Sequence, residues 1–104
     1  MHCFSGSKEM AEQCIKLGFL VSFAGNVTYP NAHKLHKTAK WIDLRKTLLE
    51  TDSPWLAPQA VRGKRNEPSF LPSIAKKIAE LKGISTDELA EATTTNAKEI
   101  YQLP

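Results

Sequence analysis

The sequence predicts an α/β fold built on parallel strands, and three observations carry that expectation. Segments of helical periodicity alternate with short apolar runs. The run Phe19-Leu20-Val21-Ser22-Phe23 is almost continuously apolar. A second run, Thr47 to Thr51, leads directly to Asp52 and is stopped by Ser53-Pro54. Alternating elements argue for βαβ units, whose right-handed crossovers bring every strand C-terminus to one face. A nearly unbroken apolar run marks a strand covered on both faces, as parallel strands are.

The elements follow in order. Met1 to Phe4 reads as the end of a first strand. Ser5 or Ser7 caps a helix on which Met10, Ala11, Cys14 and Ile15 share a face, and Leu17-Gly18 ends it. The strand Phe19 to Phe23 is broken by Gly25-Asn26, and Pro30 or Asn31 opens a second helix to about Lys40. There Ala32, Leu35, Ala39 and Ile42 form the apolar stripe, which leaves His33, Lys34, His36, Lys37 and Lys40 on a solvated face. After the strand Thr47 to Thr51 comes an irregular segment from Asp52 to Pro68, containing Arg62-Gly63-Lys64-Arg65-Asn66. Loops of that length are usually functional or disordered. Three helices close the chain: Ser69 to Lys82, with Phe70, Ile74, Ile78 and Leu81 on one face; Thr86 to about Thr93; and Ala97 to about Leu103. Ser85 with Glu88, and Asn96 with Glu99, have the spacing of a capping box.

Length and composition bound the function. A chain of 104 residues builds one small core, whereas folds that display catalytic groups on strand ends run to about 200 residues or more. With 41% hydrophobic and 24% charged residues the composition is that of a globular protein, and no apolar stretch approaches the roughly 20 residues of a membrane span. The first residues lack the basic and apolar regions of a secretory leader. Cys3 and Cys14 have neither metal-knuckle nor redox spacing, so a cytoplasmic location is expected. The formal net charge of +3 does not by itself argue for nucleic acid, but the concentration of charge at residues 62–65 matters more.

Candidate chemistry gathers at the strand ends. His2, the segment Ala24-Gly25-Asn26 and Asp52 should leave the sheet at a common rim, with Pro54 holding residue 53 in an extended or turn conformation. A neutral imidazole and a carboxylate there could hold divalent metal, with Asp52 able to take a proton from water. Two ligands are too few for such a site, and His33 and His36 lie on the outer helix, so further ligands are expected outside this chain. Glu50 lies on the same side of its strand as Asp52, either as a supporting partner or as an interior structural acid. Cys3 has no base spaced to activate it and is expected to pack. Trp55 either stacks on a base or packs under the loop.

Three ordered motifs carry a resemblance: His2-Cys3-Phe4-Ser5-Gly6-Ser7, Leu49-Glu50-Thr51-Asp52-Ser53-Pro54-Trp55-Leu56-Ala57-Pro58, and Arg62-Gly63-Lys64-Arg65-Asn66-Glu67-Pro68. Together they resemble the C-terminal signatures of TatD-type metal-dependent deoxyribonucleases of the amidohydrolase superfamily. Thr94, Asn96 and Ala97 resemble the closing helix of that family. The resemblance runs from residue 2 to the C-terminus and implies a TIM-type (β/α)8 barrel, of which residues 1–104 would be the last three βα units of a single domain.

It further implies DNA as substrate and two divalent metal ions (Mg, Mn or Zn) in the complete site. His2 would ligate one metal, and Asp52 would ligate the other and help to activate water. Arg62, Lys64, Arg65 and Asn66 would meet substrate phosphates. The family's remaining ligands, a His-x-His pair, a Glu and another His, belong to the N-terminal part of the barrel. That part is the expected partner of this chain, which alone should be inactive. The alternative is a non-catalytic module that binds nucleic acid or completes a partner barrel.

Overall fold

The computed structural model describes all 104 residues. Helix α1 (Lys8–Lys16) starts at Ser7, whose hydroxyl accepts the Met10 amide at 3.2 Å, and it buries Ala11 and Cys14. Strand β1 (Val21–Phe23) is buried along its whole length. Helix α2 (His33–Trp41) buries Leu35, Thr38 and Ala39, and strand β2 (Thr47–Leu49) pairs with β1 in parallel, Val21 against Thr47 and Phe23 against Leu49. Helix α3 (Leu71–Lys82) is closed by Gly83, whose φ of 67° lies in the left-handed region where glycine carries no Cβ penalty. Helix α4 (Thr86–Ile100) is capped by Ser85, which accepts the Glu88 amide. No helix is long and apolar enough to cross a membrane.

Residues 1–4 run beside β1 as a third extended segment. Ser22 donates its amide to the Met1 carbonyl at 3.0 Å, and Phe4 donates to the Ser22 carbonyl at 2.9 Å. A regular parallel pair would place one residue, not two, between those partners. The surplus residue is taken up at Cys3, whose φ of 47° breaks the pleat as a bulge does. The expected first strand is therefore present as backbone pairing but interrupted just after His2.

Phe4, Val21, Phe23, Ile42, Ile74, Ile78 and Leu89 fill the core between the sheet and the helices. Phe4 and Phe23 meet edge to face, with ring centroids 6.4 Å apart, an arrangement that adds to simple area burial. On another side the sheet is uncovered. Phe19, Leu20, Leu48, Ile100 and Tyr101 line a recess of about 400 Å³ that also reaches His2 and Glu50.

Three expectations are corrected. The strand starts at Val21, leaving Phe19 47% exposed beside the recess. Residues 50 and 51 lie beyond β2, although the Glu50 amide still bonds the Phe23 carbonyl. The two closing helices are one: α4 runs unbroken through Asn96, which caps nothing. Its side-chain amide instead donates to the carbonyls of Leu44 and Thr47, satisfying acceptors where the chain enters β2. A buried partner overrides a local capping pattern.

The loops after β1 and β2 press together at Gly25. A Cβ there would collide with the Leu56 carbonyl oxygen, and a backbone oxygen cannot swing aside as a side chain can. Gly25→Ala should therefore destabilise by about 1–3 kcal/mol, as overpacking does. A thermal melt checks this; an unchanged midpoint would show that the two loops are free to separate.

Candidate metal and phosphate site

The ends of the first segment and of β2 bring three groups to a common point. His2 arrives just before the break at Cys3, and Glu50 and Asp52 follow β2 directly. One ligand atom from each of His2, Glu50 and Asp52 lies within 4.8 Å of the other two. Two ligands on opposite sides of one ion, with bonds of about 2.0–2.2 Å, stand just over about 4 Å apart. The three groups thus need only a small adjustment to share an ion, and one imidazole nitrogen with two carboxylates suits a divalent metal. The alternation seen in sequence left Glu50 undecided. Its Oε2 accepts the Cys3 amide at 2.7 Å, and its Oε1 stands 3.5 Å from His2 Nδ1, so it faces the cluster and fixes the chain beside His2.

The backbone around Asp52 is held from several directions. Asp52 has a φ of 59°, and its carbonyl accepts the Trp55 amide at 2.9 Å. Cys3 sits against the same carboxylates. Burial first, then the charges of Asp52 and Glu50, push its thiol pKa up. A thiol kept protonated is a poor nucleophile, which agrees with setting aside a nucleophile role, although Cys3 is half-buried and lies outside the core cluster.

The long loop leaves from Asp52 and is tied back to it. Asn66 is 2% exposed. Its side-chain nitrogen donates to the Thr51 and Trp55 carbonyls, both at 2.6 Å, and its oxygen accepts the Glu67 amide. Every polar atom of that side chain is thus committed to the loop's own backbone. Arg62, Lys64 and Arg65 are exposed on the same loop. Arg62 lies over the Tyr29 ring, with its guanidinium carbon 4.0 Å from the centroid. Trp55 is 70% exposed rather than packed under the loop.

The sequence model of the TatD related DNase family matches residues 1–102. The chain belongs to that family. A relative, an uncharacterized metal-dependent hydrolase of Bacillus subtilis, is 48% identical over 99% of this chain and 40% of its own length. A protein of Erwinia amylovora named as a 3'-5' ssDNA/RNA exonuclease is 36% identical over 99% of this chain and 42% of its own. The crystal structure of a TatD homologue from Escherichia coli K12 superposes with a TM-score of 0.93 at 32% identity, covering 100% of this chain and 40% of the homologue. The chain thus spans about two-fifths of the length of its TatD relatives. Metal-dependent hydrolase is the name of the Bacillus subtilis relative, and the α/β architecture with parallel strands is common ground with the solved TatD homologue.

Proposed function

We propose that this chain forms the C-terminal three βα units of a TatD-type (β/α)8 barrel, and that the complete protein hydrolyses DNA phosphodiester bonds with divalent metal. The observation that carries the reading is the convergence of His2, Glu50 and Asp52 where parallel strands end, with an exposed basic loop rooted at the same aspartate. The uncovered apolar recess is the face that the other units of the barrel would close. A relative named as acting on single-stranded DNA and RNA supports nucleic acid as the substrate class.

A divalent ion in this site would offset charge on the phosphate and lower the pKa of a water molecule. His2 offers a neutral nitrogen donor, and Glu50 holds the Cys3 backbone beside it. Asp52 offers a carboxylate that can both ligate and receive a proton. Arg62, Lys64 and Arg65 present donors to phosphate oxygens, whereas Asn66 acts through the shape of the loop. Phosphate contacts of this kind position the strand without reading sequence.

A chimera that joins the N-terminal three-fifths of the Bacillus subtilis relative to this chain tests the proposal. It should cleave a labelled single-stranded oligonucleotide when Mg or Mn is added, and a chelator should stop it. A folded chimera that binds metal and leaves DNA intact would remove DNA from the reading. In the same chimera, Arg62→Ala or Arg65→Ala should weaken binding about equally across sequences. Each should flatten the log-log salt dependence by about one unit or slightly less, as loss of one phosphate contact does. Unchanged slopes in a fluorescence-anisotropy titration would make the basic loop structural.

A further inference from the structure

The three exposed cations of the loop are not equivalent. Neither Lys64 nor Arg65 has a side-chain hydrogen bond, ion pair or ring contact within the chain, whereas Arg62 has both a ring and a polar partner. The ring belongs to Tyr29, in the loop after the other strand. We propose that Tyr29 is a positioning residue for phosphate recognition, holding the Arg62 guanidinium in place before substrate arrives. This rests on the reading of Arg62 as a phosphate contact.

The geometry shows why this pairing suits anion binding. A guanidinium is planar, with its N–H donors arranged around the edge. Stacking on an aromatic ring occupies one face and leaves most of that edge free. Gln59 Oε1 lies 3.4 Å from one Arg62 nitrogen, at the weak limit of a hydrogen bond, so few of the donors are committed. A carboxylate partner would neutralise the charge and compete with phosphate. A ring immobilises the side chain and leaves the full positive charge. The recess of about 290 Å³ beside the pair, lined in part by Asn26, Tyr29, Asn31 and Arg62, keeps the site open to a strand.

Tyr29 is itself fixed. Its hydroxyl donates to the Ala57 carbonyl at 3.0 Å, reaching across to the loop that carries Arg62. Its neighbour Thr28 accepts the Gln59 amide at 2.7 Å and donates to the Gly25 carbonyl. The ring therefore stands on a platform built from both loops. Ordering Arg62 in advance removes part of the cost of immobilising a long side chain on binding.

The test uses the chimera, with binding to a single-stranded oligonucleotide read at several salt concentrations. Tyr29→Leu should weaken binding about two- to five-fold, the range that an exposed cation–π contact supports. Tyr29→Phe keeps the ring and should retain the salt slope. In the Arg62→Ala background, Tyr29→Leu should have no further effect, because its action runs through the arginine. If Arg62→Ala weakens binding while Tyr29→Leu does not, or if the two effects simply add, the positioning role is overturned and the phosphate reading stands. If Arg62→Ala itself changes nothing, both fall. A readout independent of any folding defect is the proton NMR of the unsubstituted chimera. The Arg62 δ-methylene should be shifted upfield by the Tyr29 ring current and stay so when oligonucleotide is added. An unshifted methylene would show that the pair does not form in solution.

Discussion

Asp52→Ala in the completed barrel should abolish turnover while leaving much of the salt-dependent DNA binding intact. The carboxylate stands within 4.8 Å of the His2 and Glu50 ligand atoms, so its loss opens the cluster and removes the group proposed to take a proton. General-base function alone is worth about 10²–10⁴-fold, and removing a ligand from the same cluster adds to that loss. Binding persists because Arg62, Lys64 and Arg65 are untouched, and such cations dominate the affinity of sequence-tolerant contacts. Single-turnover cleavage beside anisotropy binding separates the two effects. If cleavage continued at more than about a tenth of the parent rate, a value far above the range for loss of a general base, Asp52 would not be the base. Loss of binding together with turnover would mean that the substitution had collapsed the loop that Asn66 ties to this point.

The second expected result is a null one with a control. The 104-residue chain alone should show no metal-dependent cleavage, and adding the N-terminal three-fifths of the Bacillus subtilis relative as a separate chain should restore it. Three protein groups at an exposed rim, with the His2 side chain 86% accessible, would hold an ion weakly and leave water free to enter. The apolar recess beside the sheet offers a second chain a surface to close. Small domains have little stability to spare when such a face stays wet. Robust cleavage by the rigorously purified chain, lost in Asp52→Ala, would falsify the claim that the other units are required.

What could be read from sequence followed physical range. The helices α1, α2 and α3 were legible because each carries its own periodic face, reinforced by a local cap at Ser7 for α1 and at Gly83 for α3, while α2 has no side-chain cap. The approach of His2 to Asp52 followed from parallel strands ending on one side. The long-range side-chain bonds were not legible. Asn96 looked like a cap because Glu99 lies three residues on, and only the carbonyls of Leu44 and Thr47, some fifty residues away, explain it. Asn66 looked like a substrate donor within a basic run, although its neighbours in space are backbone groups. Tyr29 carried no signal at all. Its partners, Ala57 and Arg62, lie on another loop. Glu50 was half legible: its two-residue offset from Asp52 put both carboxylates on one side of the strand, but only its contacts with Cys3 and His2 decide between a supporting partner and an interior acid.

The surplus residue beside β1 has a consequence for how the chain can change. Deleting Cys3 would give the first segment the spacing of an ordinary parallel pair, a more regular sheet by any backbone measure. It would also remove the Cys3 amide, whose bond to Glu50 Oε2 at 2.7 Å ties the chain beside His2 to the carboxylate. Regularity and chemistry thus pull against each other at this point, and an insertion or deletion of one residue is more damaging here than most exchanges of side chain. Position 3 should accept glycine or asparagine, which enter the left-handed region readily, and resist β-branched residues.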